Sequence, residues 1–455
     1  MTQGTIWKQI FFFALPIMLG NLLQQLYNTV DGIVVGNYVS QDALAAVGGV
    51  YSLTFLMLAI SMGMGGGGAI IVSQMFGAGR NHEMRRAVST ILIMLTALGV
   101  LLSVIGAVFP RFFVVTLIRI TDETICELAV TYFRIYSVGL IVQYLYNAVS
   151  SILRALGDSK STLYFLCVAA VMNVVLDLLF VLKFKLGVLG VAWATVISQV
   201  ACAAVSLVYM LRRYPQFRFK KDEFVFDRKI FVMALKLGIP ATIQQVIVSL
   251  GSVVMQRLIN SFGSATMTAF AVGQRMENYT LVPVFAMNMG LSTFVGQNVG
   301  AGKFDRVTKG LRTTLLMCEV IVIALCTLLY VFSPSFAKLF GMEETGEAMR
   351  QCIEMLRFLS LSFPLFALYI PSGGMLQGAG DAIHSTIAAI TTLGVRVVCA
   401  YILAYVFHYG YASGWVTMPI GWVCAAAVTY SRIFRGKWKE KAVVKPVGAE
   451  PEAEA

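Results

Sequence analysis

FFFALPIMLGNLLQQLYNTVDGIVVGN, residues 11–37, is the stretch that decides the fold. It is long enough for a membrane-crossing helix, which needs about 20 mostly apolar residues. Its polar residues are Asn21, Gln24, Gln25, Asn28 and Asp31. On a helix they share one arc of roughly 120°, and Phe, Leu, Ile and Val cover the rest. Such a stripe on a greasy helix either lines a water-accessible cavity or hydrogen-bonds a neighbouring helix. Its length favours the cavity.

Eleven similar apolar runs follow, at about 44–76, 87–110, 128–150, 160–183, 187–211, 230–260, 266–298, 308–332, 350–376, 384–407 and 411–434. The 455 residues are 58% hydrophobic and only 13% charged, with a mean hydropathy of +0.78. Soluble domains carry about 25% charge, so lipid is the solvent for most of this chain. The sequence predicts an all-α integral membrane protein of twelve spans.

The net charge of +12 does not point to nucleic acid, because Lys and Arg cluster between the apolar runs. About 23 of them fall on the side of the N-terminus: Lys8, Arg80, Arg85, Arg86, Arg154, Lys160, the central linker, Lys303, Arg306, Lys309, Arg312 and a tail from Arg432 to Lys445. About five fall on the other side. The positive-inside rule then places both termini in the cytoplasm. The predicted layout is a six-helix lobe over 1–211, a linker over 212–229, a second six-helix lobe over 230–435 and a disordered tail over 436–455.

The halves repeat. Leu15-Pro16-Ile17 returns as Ile239-Pro240-Ala241, and Gln74-Met75-Phe76-Gly77-Ala78-Gly79-Arg80 as Gln297-Asn298-Val299-Gly300-Ala301-Gly302-Lys303. Leu153-Arg154-Ala155-Leu156-Gly157-Asp158 returns as Leu376-Gln377-Gly378-Ala379-Gly380-Asp381. Six spans per repeat give both halves the same sense in the membrane, an arrangement found in secondary transporters with a midplane substrate site. The seventh span carries its own polar stripe, Gln245, Ser249, Ser252 and Gln256.

The acids break the symmetry. Asp31 corresponds to Met255; Asn173 and Asp177, one turn apart, correspond to Arg396 and Ala400. Charged residues inside spans persist where they face a wet cavity or a partner. No Lys or Arg lies in the interior of the first, fifth or sixth span to serve as that partner. The pair suits a proton, or Na+ shared with Asn and Thr oxygens, without choosing between them. The second half buries both signs, Arg275, Glu277, Glu319, Glu354, Arg357 and Arg396. A structural ion-pair network is expected there, with Arg275, Glu277 and Arg396 alternatively touching substrate. Pro16 kinks its helix and is a hinge candidate.

Other signals carry no chemistry. Gly63, Gly65 and Gly68 fit G-x-G-x-x-G but lie mid-span, where close helix packing is expected. There is no Walker A sequence, no His cluster among His82, His384 and His408, and no C-x-x-C among eight cysteines. Cys126 and Cys352 are the one pair considered for a disulfide. No nucleophile–base constellation can be assembled, so no enzyme, cofactor or catalytic residue is predicted.

LPIMLGNLLQQLYNTVDGIVVGNYVSQDALAAVG, the paired Gly-Ala-Gly turns, ILRALGDSK and MNVVLDLLF followed by GVAWATVISQ resemble the multidrug and toxic compound extrusion (MATE) family, over nearly the whole chain. Within it the chain looks like the DNA-damage-inducible protein F branch. The NorM-like branch uses carboxylates in the seventh and tenth spans, and Gln244–Ser252 and Phe363–Ile370 have none. The resemblance implies two six-helix lobes around a V-shaped cleft. It also implies antiport of H+ or Na+ against cationic or amphiphilic drugs, in a bacterial plasma membrane. It maps a cation site, including any Na+, onto Asp31, Asn173, Asp177 and Thr195. Gln24, Tyr27 and Asn147 match positions near its substrate cavity; Asn28, Gln245 and Gln256 join them from the stripes. Expected partners are drug-like cations and the bilayer, for a monomer. A flippase for lipid-linked precursors, related in fold, is the alternative.

Overall fold

The computed structural model describes residues 1–219, 224–343 and 346–444, Asn28 without its side chain. All regular structure among them is helical. The first repeat comprises α1 (Ile6–Tyr38), α2 (Gln41–Gly49), α3 (Tyr51–Gly77), α4 (Asn81–Val108), α5 (Glu123–Ala155), α6 (Lys160–Leu178) and α7 (Gly187–Arg213). The second comprises α8 (Arg228–Asn260), α9 (Ser264–Gly300), α10 (Phe304–Val331), α11 (Ser333–Leu339), α12 (Glu347–Gly378), α13 (Ala382–Tyr405), α14 (Ser413–Val416) and α15 (Met418–Phe434).

Among the described residues 12 helical stretches are long and apolar enough to cross a membrane, α2 and α3 counting as one. Their outward faces are as apolar as the core. Val104 on α4, Val171 on α6 and both Leu316 and Val320 on α10 are more than half exposed. In lipid such a surface costs nothing, and helices satisfy their own backbone groups. The chain is a multi-pass membrane protein.

The repeat is written into the backbone as well as the sequence. Gly79, Gly157, Lys185 and Gly187 have positive φ (69°, 96°, 54° and 55°). So do their counterparts Gly302, Gly380, His408 and Gly410 (71°, 95°, 51° and 75°). The same turns close the same spans twice.

The compact units do not coincide with the sequence halves. One comprises Leu19–Thr242; the other comprises Met1–Met18 with Ile243–Ala455. The front ends of α1 and α8 are thus exchanged, each crossing over just after Pro16 or Pro240. Ile10, Phe13, Ala14 and Ile17 enter the core built on α9, α10 and α12. Ahead of α1, Lys303 Nζ donates to Thr2 O at 3.1 Å and Arg306 to Gly4 O at 3.1 Å. Ahead of α8, Ser89 Oγ donates to Val225 O and Thr90 Oγ1 accepts from Asp227 N, both at 3.0 Å.

The glycine run of α3 makes one of these crossings. A Cβ on Gly67 would lie 2.5 Å from the backbone nitrogen of Gly238, and one on Gly63 2.6 Å from that of Thr242. Gly66 faces open space. Gly67→Ala is therefore expected to destabilise the protein by about 1–3 kcal/mol, the range for overpacking, and Gly66→Ala to be near neutral. Thermal unfolding in detergent measures both; equal effects would remove the packing explanation.

The tail begins later than its composition suggests. Trp438 is buried against Phe304 at 5.8 Å, and Val444 is buried too. Residues 436–444 therefore pack on the second unit, because a large ring among the lysines finds an apolar seat. Residues 445–455 lie outside the described ones. All eight cysteines are free, Cys126 and Cys352 included.

Candidate functional site

A cluster of valines sets the site in the Leu19–Thr242 unit. Val34 and Val35 of α1 are buried with Val181, Val188 and Val191. Val181 belongs to a π-helical turn, Leu179–Lys183, that continues α6; such turns are frequent at functional sites. Three of these valines lie one turn from a polar residue of the candidate site. Asp31 precedes Val34, Asp177 precedes Val181, and Thr195 follows Val191.

The carboxyl groups of Asp31 and Asp177 come within hydrogen-bonding reach of one another. Each is the only charged group bearing on the other among the described residues. Among the described residues no guanidinium or ammonium clamps either acid. As two carboxylates they have no proton to share. Accordingly Asp31 Oδ1 and both oxygens of Asp177 are buried without a hydrogen-bond partner among the described residues. Both polar atoms of Asn173 are in the same condition. Asp177 is 0% exposed and Asn173 3%. Buried polar groups are normally satisfied, so this many orphans mark a site built to receive something. A proton between the carboxyls would satisfy them; so would a small cation with the Asn173 carbonyl oxygen added. No group of three or more His, Cys, Asp and Glu among the described residues could hold a metal, so Na+ would rest on this mixed oxygen set.

Thr195 donates its hydroxyl to Val191 O at 3.0 Å, leaving its lone pairs free. Gln24 and Tyr27 lie one turn apart on α1, and the Tyr27 ring lies in the field of Asp31. Asn147 Nδ2 donates to Ser61 Oγ at 3.0 Å, tying α5 to α3. The side chain of Asn28 lies outside the described residues. Gln245 and Gln256 belong to the other unit, where Gln256 donates to Asn260 on its own helix at 2.8 Å.

Three contributors escaped the sequence reading. Tyr132 of α5 lies in the field of both acids, and it stacks on Tyr136 with ring centres 6.2 Å apart. Tyr136 in turn donates to Gln143 Oε1 at 3.2 Å. The i, i+4 spacing of the two tyrosines was the available signal. Gln199, one turn beyond Thr195, has a buried Oε1 with no partner among the described residues.

Among the described residues, Arg275, Glu277, Glu319, Glu354, Arg357 and Arg396 do not form the expected ion-pair network. Arg275 lies over the Phe340 ring at 5.9 Å and Arg357 over the Tyr330 ring at 5.4 Å. Glu354 accepts from Tyr411 at 3.0 Å. Glu319 Oε1 is buried without a partner among the described residues. Aromatic rings and hydroxyls serve where opposite charges were expected.

Twelve apolar spans in two repeats make the chain a multi-pass membrane protein with the repeat architecture seen in secondary transporters. The MatE family model matches residues 16–179 and again residues 240–402, one match per repeat. The chain belongs to the MatE family. It is 29% identical over 454 residues to the probable multidrug resistance protein YoeA of Bacillus subtilis (strain 168), covering 98% of this chain and 96% of that one. A crystal structure of MATE in the bent conformation shares its fold, with a TM-score of 0.88 and 25% identity over 96% of this chain and 97% of the other. The straight conformation gives a TM-score of 0.87 and 23% identity over 96% and 98%. The relatives that the chain matches include proteins named for multidrug resistance or multidrug export and one named an FAD transporter.

Proposed function

We propose that this protein exports small cationic or amphiphilic aromatic compounds by alternating access, driven by inward movement of H+ or Na+. The carrying observation is the pair Asp31, half-buried, and Asp177, fully buried, each the other's charged neighbour, with the orphaned Asn173 one turn from Asp177 on α6. Ion binding neutralises the pair and removes its repulsion. α1 then repacks about Pro16, where it passes from one compact unit to the other. Gln24, Tyr27 and the Tyr132–Tyr136 stack offer an aromatic, polar surface on which a cation can rest. Drug and ion compete for this surface, so loading one releases the other. A relative known in bent and straight forms supports a two-state cycle. The basic residues between spans support cytoplasmic termini in a bacterial plasma membrane. The absence of carboxylates from Gln244–Ser252 of the seventh span and Phe363–Ile370 of the tenth favours the DNA-damage-inducible protein F type of cation site.

The test is ethidium efflux from proteoliposomes under a pH gradient and a Na+ gradient imposed separately. One gradient is expected to drive efflux and the other not. Efflux indifferent to both would refute the antiport reading.

A further inference from the structure

The two repeats differ in how closely two of their helices pack. In the first, glycines let α4 close on α5. A Cβ on Gly99 would lie 2.8 Å from Tyr144 Cβ, and one on Gly106 2.8 Å from Ser137 Cβ. Their counterparts on α10 are Val322 and Leu329, both buried, whose bulk holds α10 off α12. Pro364 of α12 cannot hydrogen-bond back to Ser360 O, and it stands where α5 has Ile141. A groove of about 310 Å³ opens between α10 and α12, lined among others by Ile323, Thr327, Tyr330, Val331, Leu361 and Pro364. Ile323, Val331 and Leu361 are more than half exposed, so inside a span the groove opens to lipid. The hydroxyls of Thr327 and Ser360 bond within their own helices at 2.8 and 2.6 Å, which leaves walls suited to an alkyl chain.

One end of the groove is charged. Tyr330 is the next-to-last residue of α10, and the Arg357 guanidinium lies over its ring at 5.4 Å. Arg357 is exposed and shares a face of α12 with Leu361 and Pro364. Glu354, one turn before it, accepts from Tyr411 at 3.0 Å. Among the described residues no carboxylate pairs with Arg357. Glu319 lies one turn beyond Ile323, about 16 Å from Tyr330 along the helix axis at 1.5 Å per residue. The positive and negative groups thus mark opposite ends. We infer that the groove binds one anionic phospholipid, with an acyl chain between α10 and α12 and the phosphate on Arg357. The lined stretch from Ile323 to Val331 gives the chain about 12 Å of wall. The guanidinium stays charged and holds a phosphate by charge-assisted hydrogen bonds. A zwitterionic headgroup brings its own cation beside the guanidinium and loses part of that attraction. The first repeat has the charge without the groove: Arg134 of α5, also exposed, corresponds to Arg357, but Ala107 stands in the place of Tyr330.

The test is native mass spectrometry of the full-length protein in detergent, titrated with dioleoylphosphatidylglycerol or dioleoylphosphatidylcholine, which share their chains and differ in headgroup charge. Wild type is expected to bind its first phosphatidylglycerol about fivefold more tightly than its first phosphatidylcholine, the preference one basic residue gives near a membrane surface. Arg357→Gln is expected to bring the two lipids within about twofold of each other while phosphatidylcholine binding holds, which also shows the groove intact. Arg134→Gln is expected to keep the fivefold preference. Leu361→Trp, at a site that is 74% exposed and so tolerant of bulk, fills the groove and is expected to weaken both lipids. If Arg134→Gln and Arg357→Gln lose the preference equally, the attraction is one of general surface charge and the inference fails. It fails as well if Leu361→Trp leaves both lipids bound as in wild type. None of these measurements involves transport or an ion gradient, so they stand apart from the export reading.

Discussion

Asp177→Asn is expected to abolish ion-driven efflux in proteoliposomes while leaving the protein folded, and Asp31→Asn to do the same. The reasoning starts from the pair. Two unit charges about 4 Å apart repel by about 4 kcal/mol at an effective dielectric near 20. Relieving that repulsion can shift a conformational equilibrium by about a thousandfold, which is enough to couple an ion to a structural change. Asn has the shape of Asp without the charge, so either substitution fixes the pair in its relieved state. The cycle then has nothing to load or release. Asp177 is fully buried and unpaired with any cation, so losing its charge should not lower the unfolding midpoint. That separates this outcome from misfolding. Asn173→Ala keeps both charges and removes one oxygen, so it is expected to weaken ion affinity and leave residual transport. Efflux at the wild-type rate in Asp177→Asn would end the assignment.

The legible parts of this molecule are those fixed by local pattern. Span positions follow from hydropathy, and the repeat follows from turn residues such as Gly157 and Gly380. The candidate acids stand out because a carboxylate inside an apolar run has few cheap explanations. The illegible parts depend on which face meets which helix. Nothing in LPIMLG shows that residues up to Met18 pack with the second repeat; that depends on Gly290 of α9 leaving room near Ile10 and Ala14. The matching polar stripes of α1 and α8 look equivalent on paper. Yet the stripe of α1 ends at Asp31, in whose field Tyr27 lies, whereas α8 carries Met255 at the corresponding place. Buried charges in the second half invited pairing by sign, and sign alone says nothing about distance. Trp438 hid in a charged tail because a single ring leaves no periodicity.

Arg432→Met is expected to destabilise the protein by about 3–5 kcal/mol, the usual result of stripping one partner from a buried ion pair. Asp381 closes the turn between α12 and α13, and its side chain is 2% exposed. Arg432 Nε donates to its Oδ2 at 2.7 Å, and His384 Nδ1 lies 2.7 Å from its Oδ1. Without the guanidinium the carboxylate keeps, among the described residues, a ring that is itself 34% exposed. The repeat supplies its own control. The equivalent Asp158 is held by Tyr209, which donates to Oδ2 at 2.9 Å, and by the backbone N–H of Ser161 at 3.2 Å. Tyr209→Phe removes one neutral donor from an acid that keeps another, so about 1 kcal/mol is expected. Unfolding in detergent should therefore rank Arg432→Met well below Tyr209→Phe. Adding Asp381→Asn should recover most of the Arg432→Met loss, because the penalty lies in the stranded charge. If Arg432→Met and Tyr209→Phe cost the same, Asp381 is solvated in the native protein, and the two turns are held by their backbone alone.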